Sequence, residues 1–201
     1  TEEMYFATTH FDADGGICVT ASHNPMNYNG MKMVKAGSAP LDPAAELERV
    51  KALAEADSFT AATEPGRVIE AESARAAYVE RVLSFIDIGA LRPMKLLVNA
   101  GNGAAGPTFD AIFSALKARR GPLEAVRMHH EPDGRFPNGI PNPLIADNQP
   151  VTGRAVVAAG ADLGIAWDGD FDRCFLFDAD GRFIPGEYIV GLLAQAFLTK
   201  E

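Results

Sequence analysis

The chain has 201 residues, 47% hydrophobic and 22% charged, a balance that excludes a disordered polymer and leaves room for one full domain with further pieces, or two small ones. Eighteen Lys and Arg against 27 Asp and Glu give a formal charge of −9, which disfavours a nucleic-acid surface and means that an anionic ligand must be met by a local cluster of cations and N–H groups. Cys18 and Cys174 match no zinc or redox spacing, no apolar run is long enough to span a bilayer, and no signal peptide opens the chain, so a cytoplasmic protein without a membrane partner is expected.

Thr1-Glu2-Glu3 runs straight into Met4-Tyr5-Phe6-Ala7, and the last residues follow a helical pattern; together these read as a piece of a longer chain. Gly16–Thr20 reads as a strand, preceded by the turn signal Asp14-Gly15-Gly16. A polar loop, Ala21–Tyr28, and a tight turn at Asn29-Gly30 lead to a second extended run, Met31–Val34. Asp42 to Glu55 has helical spacing of Leu47, Val50, Leu53 and Ala54, and residues 57–67, with Pro65-Gly66, read as a linker. A helix is expected over 73–91, a buried strand over 95–100, a helix over 107–119 and a strand over 123–128. The four prolines of 129–148 exclude regular structure there. A helix over 150–160 and a strand over 162–167 follow, then a hairpin from 174–178 and 182–184 about Asp180-Gly181, and a helix beginning at Glu187. Such strand–helix alternation implies a mostly parallel sheet covered on both faces.

Three constellations carry potential chemistry. Asp168-Gly169-Asp170-Phe171-Asp172-Arg173 places three carboxylates at alternate positions after a predicted parallel strand, where α/β proteins bind ligands. Unneutralised, they repel one another, and an all-oxygen donor set suits Mg²⁺ or Ca²⁺. An EF-hand fails, since its sixth position should be Gly and is Arg173, and its twelfth should be Glu and is Ala179. The alternative is a solvated acidic turn like Asp178-Ala179-Asp180-Gly181. In Thr20-Ala21-Ser22-His23-Asn24-Pro25, Ser22 is a candidate nucleophile or phosphoryl carrier, although no G-x-S-x-G elbow surrounds it. Neighbouring side chains rarely face each other, which argues against a Ser22–His23 dyad, and a polar turn accounts for the loop equally well. Gly101-Asn102-Gly103-Ala104-Ala105-Gly106 matches the dinucleotide fingerprint, yet Glu124 and Glu131 are misplaced for its acidic partner, and close helix–strand packing explains the glycines as well. His129-His130 lack a third ligand and read as loop residues, and Trp167 reads as core packing.

The motif Thr20–Pro25, followed by Asn29-Gly30-Met31-Lys32 and later by Asp168–Arg173, resembles the α-D-phosphohexomutases, and residues 21–33 are most similar to their bacterial phosphomannomutase/phosphoglucomutase branch. The resemblance covers essentially the whole chain. It implies three-layer α/β/α domains with mixed, mostly parallel sheets: residues 1–66 as the rear part of domain 1, 67–178 as domain 2, and 179–201 as the start of domain 3 in a four-domain enzyme. By the same resemblance Ser22 is the serine that becomes phosphorylated. Asp168, Asp170 and Asp172 hold Mg²⁺, which also ligates a phosphoserine oxygen. Arg173 and His23 lie against that phosphate, and Lys32 assists proton transfer at the sugar hydroxyl. The implied reaction interconverts the 1- and 6-phosphates of mannose or glucose through a hexose 1,6-bisphosphate. The family's Gly-Glu-x-Ser sugar loop is not matched by Gly186-Glu187-Tyr188-Ile189, and its later phosphate-binding loop has no counterpart, so this chain alone is expected to be poorly active. Two other readings stay open: a Mg²⁺-dependent phosphatase with Asp168 or Asp170 as nucleophile, and a non-catalytic cation- or nucleotide-binding α/β module.

Overall fold

The computed structural model describes residues 1–57, 59–71 and 73–199, which divide into two units: residues 1–19 with 31–78, and residues 20–30 with 79–201. The division falls inside one helix, α3 (Ala74–Leu83). Of the linker expected over 57–67, Ser58 lies outside the described residues and the rest carries neither helix nor strand; Lys200 and Glu201 of the expected third-domain piece also lie outside.

The first unit opens with a helix that composition alone did not announce, α1 (Glu2–His10). Glu2 and Glu3 in its first turn and His10 in its last complement the helix dipole. Phe6 stacks on His10 at 5.1 Å and meets Tyr78 edge-on at 5.6 Å. Strands β1 (Gly15–Val19) and β2 (Met31–Lys35) pair antiparallel, from Gly15 opposite Lys35 to Val19 opposite Met31. The helix lies so close to β1 that a methyl group on Gly16 would stand 2.1 Å from Thr8 Oγ1. A π-type turn, Pro43–Leu47, capped by the Asp42 carboxylate, leads into α2 (Glu48–Ala56), where helical spacing had placed a helix.

The second unit is built on five strands in the order β4-β3-β5-β6-β7. Strands β3 (Met94–Asn99), β4 (Leu123–Met128) and β5 (Leu163–Trp167) are parallel, whereas β6 (Cys174–Phe177) and β7 (Phe183–Ile184) extend the sheet antiparallel, giving the mixed α/β sheet expected. Helices α4 (Ala105–Ala118) and α5 (Gln149–Ala159) make the two crossovers, and α6 (Gly186–Leu198) follows the hairpin. On one face Leu97, Ala166 and Phe177 pack with Val156 of α5; Leu116 of α4 clusters with Val79 and Leu83 of α3. Because the chain moves from β3 outward to β4 and then crosses to β5 on the other side, the carboxyl ends of β3 and β5 form the topological switch point.

The third helix is shorter than the 73–91 expected. It stops at Leu83, where the Ser84 hydroxyl donates to the Arg81 carbonyl at 2.7 Å, and the Asp87 carboxylate then caps a separate 3₁₀ turn, Ile88–Ala90, through the Gly89 N–H at 2.9 Å. Local side-chain bonds of this kind compete with helix propagation.

Truncating Leu97, 2% exposed at the centre of the sheet, to alanine lowers unfolding free energy by about 2–5 kcal/mol in urea titrations followed by circular dichroism. Val68→Ala, at a position 91% exposed, leaves the midpoint within about 0.5 kcal/mol of the parent.

Candidate active site

The site is assembled within the second unit from two segments 146 residues apart in sequence. One is the 20–30 loop, closed at its neck where the Thr20 N–H donates to the Gly30 carbonyl at 2.9 Å. The other is the 168–173 loop, which leaves β5 at the switch point.

Asp168 is fully buried, Asp170 nearly so, and Asp172 is exposed. A buried carboxylate must be neutralised or richly hydrogen-bonded. For Asp168 the partners are present. The Arg173 guanidinium reaches Oδ2 at 2.5 Å through Nη2 and at 3.1 Å through Nε, and the Arg173 N–H donates to Oδ1 at 3.1 Å. The Ser22 hydroxyl donates to Asp168 Oδ2 at 2.9 Å, and Arg173 Nη2 reaches Ser22 Oγ at 3.3 Å. Arg173 also lies 3.6 Å from Asp172 Oδ1. Serine hydroxyl, carboxylates and guanidinium therefore converge at one point.

Ser22 and Phe171 both adopt left-handed backbone conformations, with φ of 55° and 49°. That conformation is unfavourable for residues with a Cβ and recurs at functional sites. At Ser22 it corrects the argument against a Ser–His contact: with the chain bent rather than extended, His23 Nδ1 comes to 3.1 Å from Ser22 Oγ, and Arg173 Nη2 hydrogen-bonds the same ring nitrogen. Arg173 has only N–H groups to offer, so His23 Nδ1 accepts from it, while the single Ser22 hydroxyl proton goes to Asp168 Oδ2.

Thr20 is a member of the site to which sequence reasoning gave no role. Its Oγ1 accepts the Ser22 N–H at 2.9 Å and donates to Asp170 Oδ2 at 3.2 Å, so one hydroxyl ties the serine loop to the second carboxylate. The Thr-x-Ser spacing of an ST-turn was the available signal. Lys32 belongs to β2 of the first unit, where Nζ donates to Thr1 Oγ1 at 3.4 Å.

One oxygen from each of Asp168, Asp170 and Asp172 lies within 4.8 Å of the others. An octahedral Mg²⁺, with bonds of about 2.1 Å, separates its ligand oxygens by roughly 3 Å when adjacent and 4 Å when opposite, so the all-oxygen donor set suits such an ion and the three oxygens would draw slightly closer around it.

The Gly101–Gly106 run packs closely against other parts of the chain. Gly101, at φ 58°, turns under Pro141; a methyl on Gly106 would strike the His130 carbonyl oxygen at 2.1 Å. Asn102 anchors the 129–148 loop: its N–H donates to the His129 carbonyl at 2.7 Å and its Nδ2 to the Glu131 carbonyl at 2.8 Å. His129 and His130 diverge. His129 borders a small cavity of about 60 Å³ with Asn99, Asn138 and Thr152, and burial lowers its pKa, while His130 Nε2 pairs with Asp110 at 2.9 Å. Trp167 packs on Phe109, with centroids 5.9 Å apart.

Family models described as phosphoglucomutase/phosphomannomutase, alpha/beta/alpha domain I and domain II, match residues 1–61 and 76–181. A phosphomannomutase from Salmonella typhimurium is 56% identical over 202 residues, one from Escherichia coli K12 is 54% identical, and a Xanthomonas campestris protein named phosphohexose mutases is 53% identical; each match covers 100% of this chain and 44% of the relative. Among solved structures, a Burkholderia thailandensis phosphoglucomutase/phosphomannomutase family protein superposes with a TM-score of 0.76 at 34% identity, over 94% of this chain and 38% of that one. A putative phosphomannomutase from Thermus thermophilus superposes with a TM-score of 0.79 at 26% identity, over 98% and 44%. The chain belongs to the phosphoglucomutase/phosphomannomutase family and spans under half the length of the relatives it matches. Among the described residues, no helix is long and apolar enough to cross a membrane.

Replacing Arg173 with methionine removes the cation from a fully buried carboxylate and lowers stability by about 3 kcal/mol in metal-free thermal melts.

Proposed function

We propose that this chain carries the phosphoserine and metal segments of a phosphohexomutase that interconverts hexose 1-phosphate and hexose 6-phosphate, with mannose or glucose as the sugar. The observation that carries the reading is the convergence on Ser22 Oγ of Asp168 at 2.9 Å, His23 at 3.1 Å and Arg173 at 3.3 Å. Phosphoryl transfer asks little of a protein beyond positioning the acceptor and neutralising charge on the transferred group.

Ser22 Oγ carries the phosphoryl group. A sugar hydroxyl attacks phosphorus, the bond to Ser22 Oγ breaks, and a hexose 1,6-bisphosphate forms; after it reorients, its other phosphate returns to Ser22. Arg173 and His23 hold the phosphate oxygens, and Lys32 assists proton transfer at the sugar hydroxyl. Asp168, Asp170 and Asp172 are the residues that would hold Mg²⁺, which when bound offsets the charge of the phosphate on Ser22.

The parts of the enzyme follow from the same proposal. Residues 1–66 form the rear of domain 1, 67–178 domain 2, and 179–201 the start of domain 3, a division supported by the domain I and II matches. The chain alone turns over slowly, because sugar recognition belongs to later segments. A cytoplasmic setting is consistent with the free thiols of Cys18 and Cys174.

Phosphate analysis tests the reading. Acid-stable phosphate at Ser22 supports it, whereas acid-labile acyl phosphate on an aspartate points to a phosphatase. In the full-length protein, Ser22→Ala abolishes turnover of both hexose 1-phosphates in a coupled assay while Mg²⁺ affinity is retained; normal turnover by that variant would refute the mechanism. Asp170→Asn lowers Mg²⁺ affinity by about tenfold or more in titration calorimetry, and unchanged affinity removes the metal assignment.

A further inference from the structure

Gly103 is a glycine whose own backbone does not ask for one. Its φ lies outside the left-handed region that Gly101 and Asn102 occupy beside it, so the demand is for space. A methyl group at Gly103 would stand 2.5 Å from the Gly169 carbonyl oxygen, 2.9 Å from Gly169 Cα and 3.0 Å from its carbonyl carbon. All three atoms are backbone and cannot swing aside as a side chain could. The next residue completes the grip, since the Ala104 N–H donates to that same Gly169 oxygen at 2.9 Å. Gly169 is itself crowded by backbone: a methyl there would lie 2.1 Å from the Ser22 carbonyl oxygen. Three stretches of backbone, at 103–104, 169 and 22, are thus layered without intervening side chains. Gly169 is flanked in sequence by Asp168 and Asp170, the two buried carboxylates.

We infer that Gly103 and Ala104 are positioning residues for the divalent-ion site: their backbone sets the height of Gly169, and through it the spacing of the Asp168 and Asp170 carboxylates. The inference rests on reading Asp168, Asp170 and Asp172 as that site. Gly106 supplies the contrast, being equally crowded in the same segment but against the His130 carbonyl rather than the carboxylate loop. Gly134, with nothing within 4 Å of its Cβ position, supplies the neutral control.

The experiment is a Mn²⁺ titration of the 201-residue chain, following free aquo-Mn²⁺ by electron paramagnetic resonance, with a thermal melt of each variant. Gly103→Ala weakens Mn²⁺ binding by about tenfold while the protein remains folded. Gly106→Ala lowers the melting temperature with Mn²⁺ affinity within twofold of the parent, and Gly134→Ala changes neither. Should Gly103→Ala fail to fold, replacing Ala104 by its α-hydroxy acid exchanges the N–H for an ester oxygen without adding bulk, removes the donor to Gly169, and weakens Mn²⁺ binding by threefold or more. Parental Mn²⁺ affinity in the folded variants, with stability reduced as in Gly106→Ala, overturns the positioning role and leaves the metal reading intact. Absence of Mn²⁺ binding by the unaltered chain overturns the metal reading, and the inference falls with it.

Discussion

A carboxylate with no exposure to water, at the end of a parallel strand, is the constraint around which the second unit is arranged. Asp168 is stable there only because a guanidinium, a backbone N–H and a serine hydroxyl converge on its two oxygens. Each partner arrives by a different route. Arg173 follows five residues later on the same loop, whose left-handed turn at Phe171 doubles the chain back. Ser22 is carried in on a loop closed by its own neck contact. The contacts that stabilise this one buried charge are also the contacts that fix the Ser22 hydroxyl, so removing either partner is felt by the other.

The sheet decides where this happens. With β3 at the reversal of strand order, the crevice between the carboxyl ends of β3 and β5 receives two loops at once, the glycine run after β3 and the acidic run after β5. The antiparallel β6–β7 hairpin continues the sheet on the β5 side, so that Phe177 and Val156 seal the core beneath the acidic loop. Backbone-to-backbone layering of Gly103 on Gly169, and of Gly169 on Ser22, replaces the side-chain packing that ordinarily spaces neighbouring loops.

Much of this was legible in the residues. Strand β4 was read with its observed boundaries, and the glycine run was already open to a packing explanation for want of a well-placed acid. The Asp168–Asp172 spacing pointed to carboxylates gathered on one loop, and the fold brings one oxygen of each within 4.8 Å of the others. The opening helix was not legible: Met4-Tyr5-Phe6-Ala7 has no clear amphipathic period, and α1 rests on Phe6 against Tyr78, far along the chain, and on the bare surface of Gly16 in the strand that follows it. The third helix was read too long because the Ser84 and Asp87 bonds that end it are individually weak signals.

The sequence by itself determined the periodic elements, the clustering of three carboxylates on one loop and the two motifs that resemble the phosphohexomutases, since each depends on side chains a few residues apart whose geometry is set by local backbone period. Only the tertiary structure decided that Ser22 meets Asp168 across 146 residues, that His23 turns toward its neighbour, and that Thr20 joins the serine loop to Asp170. Those outcomes hang on strand order, on a left-handed φ and on how closely two glycine backbones approach, quantities fixed by the burial of the whole unit and by no short stretch of residues within it.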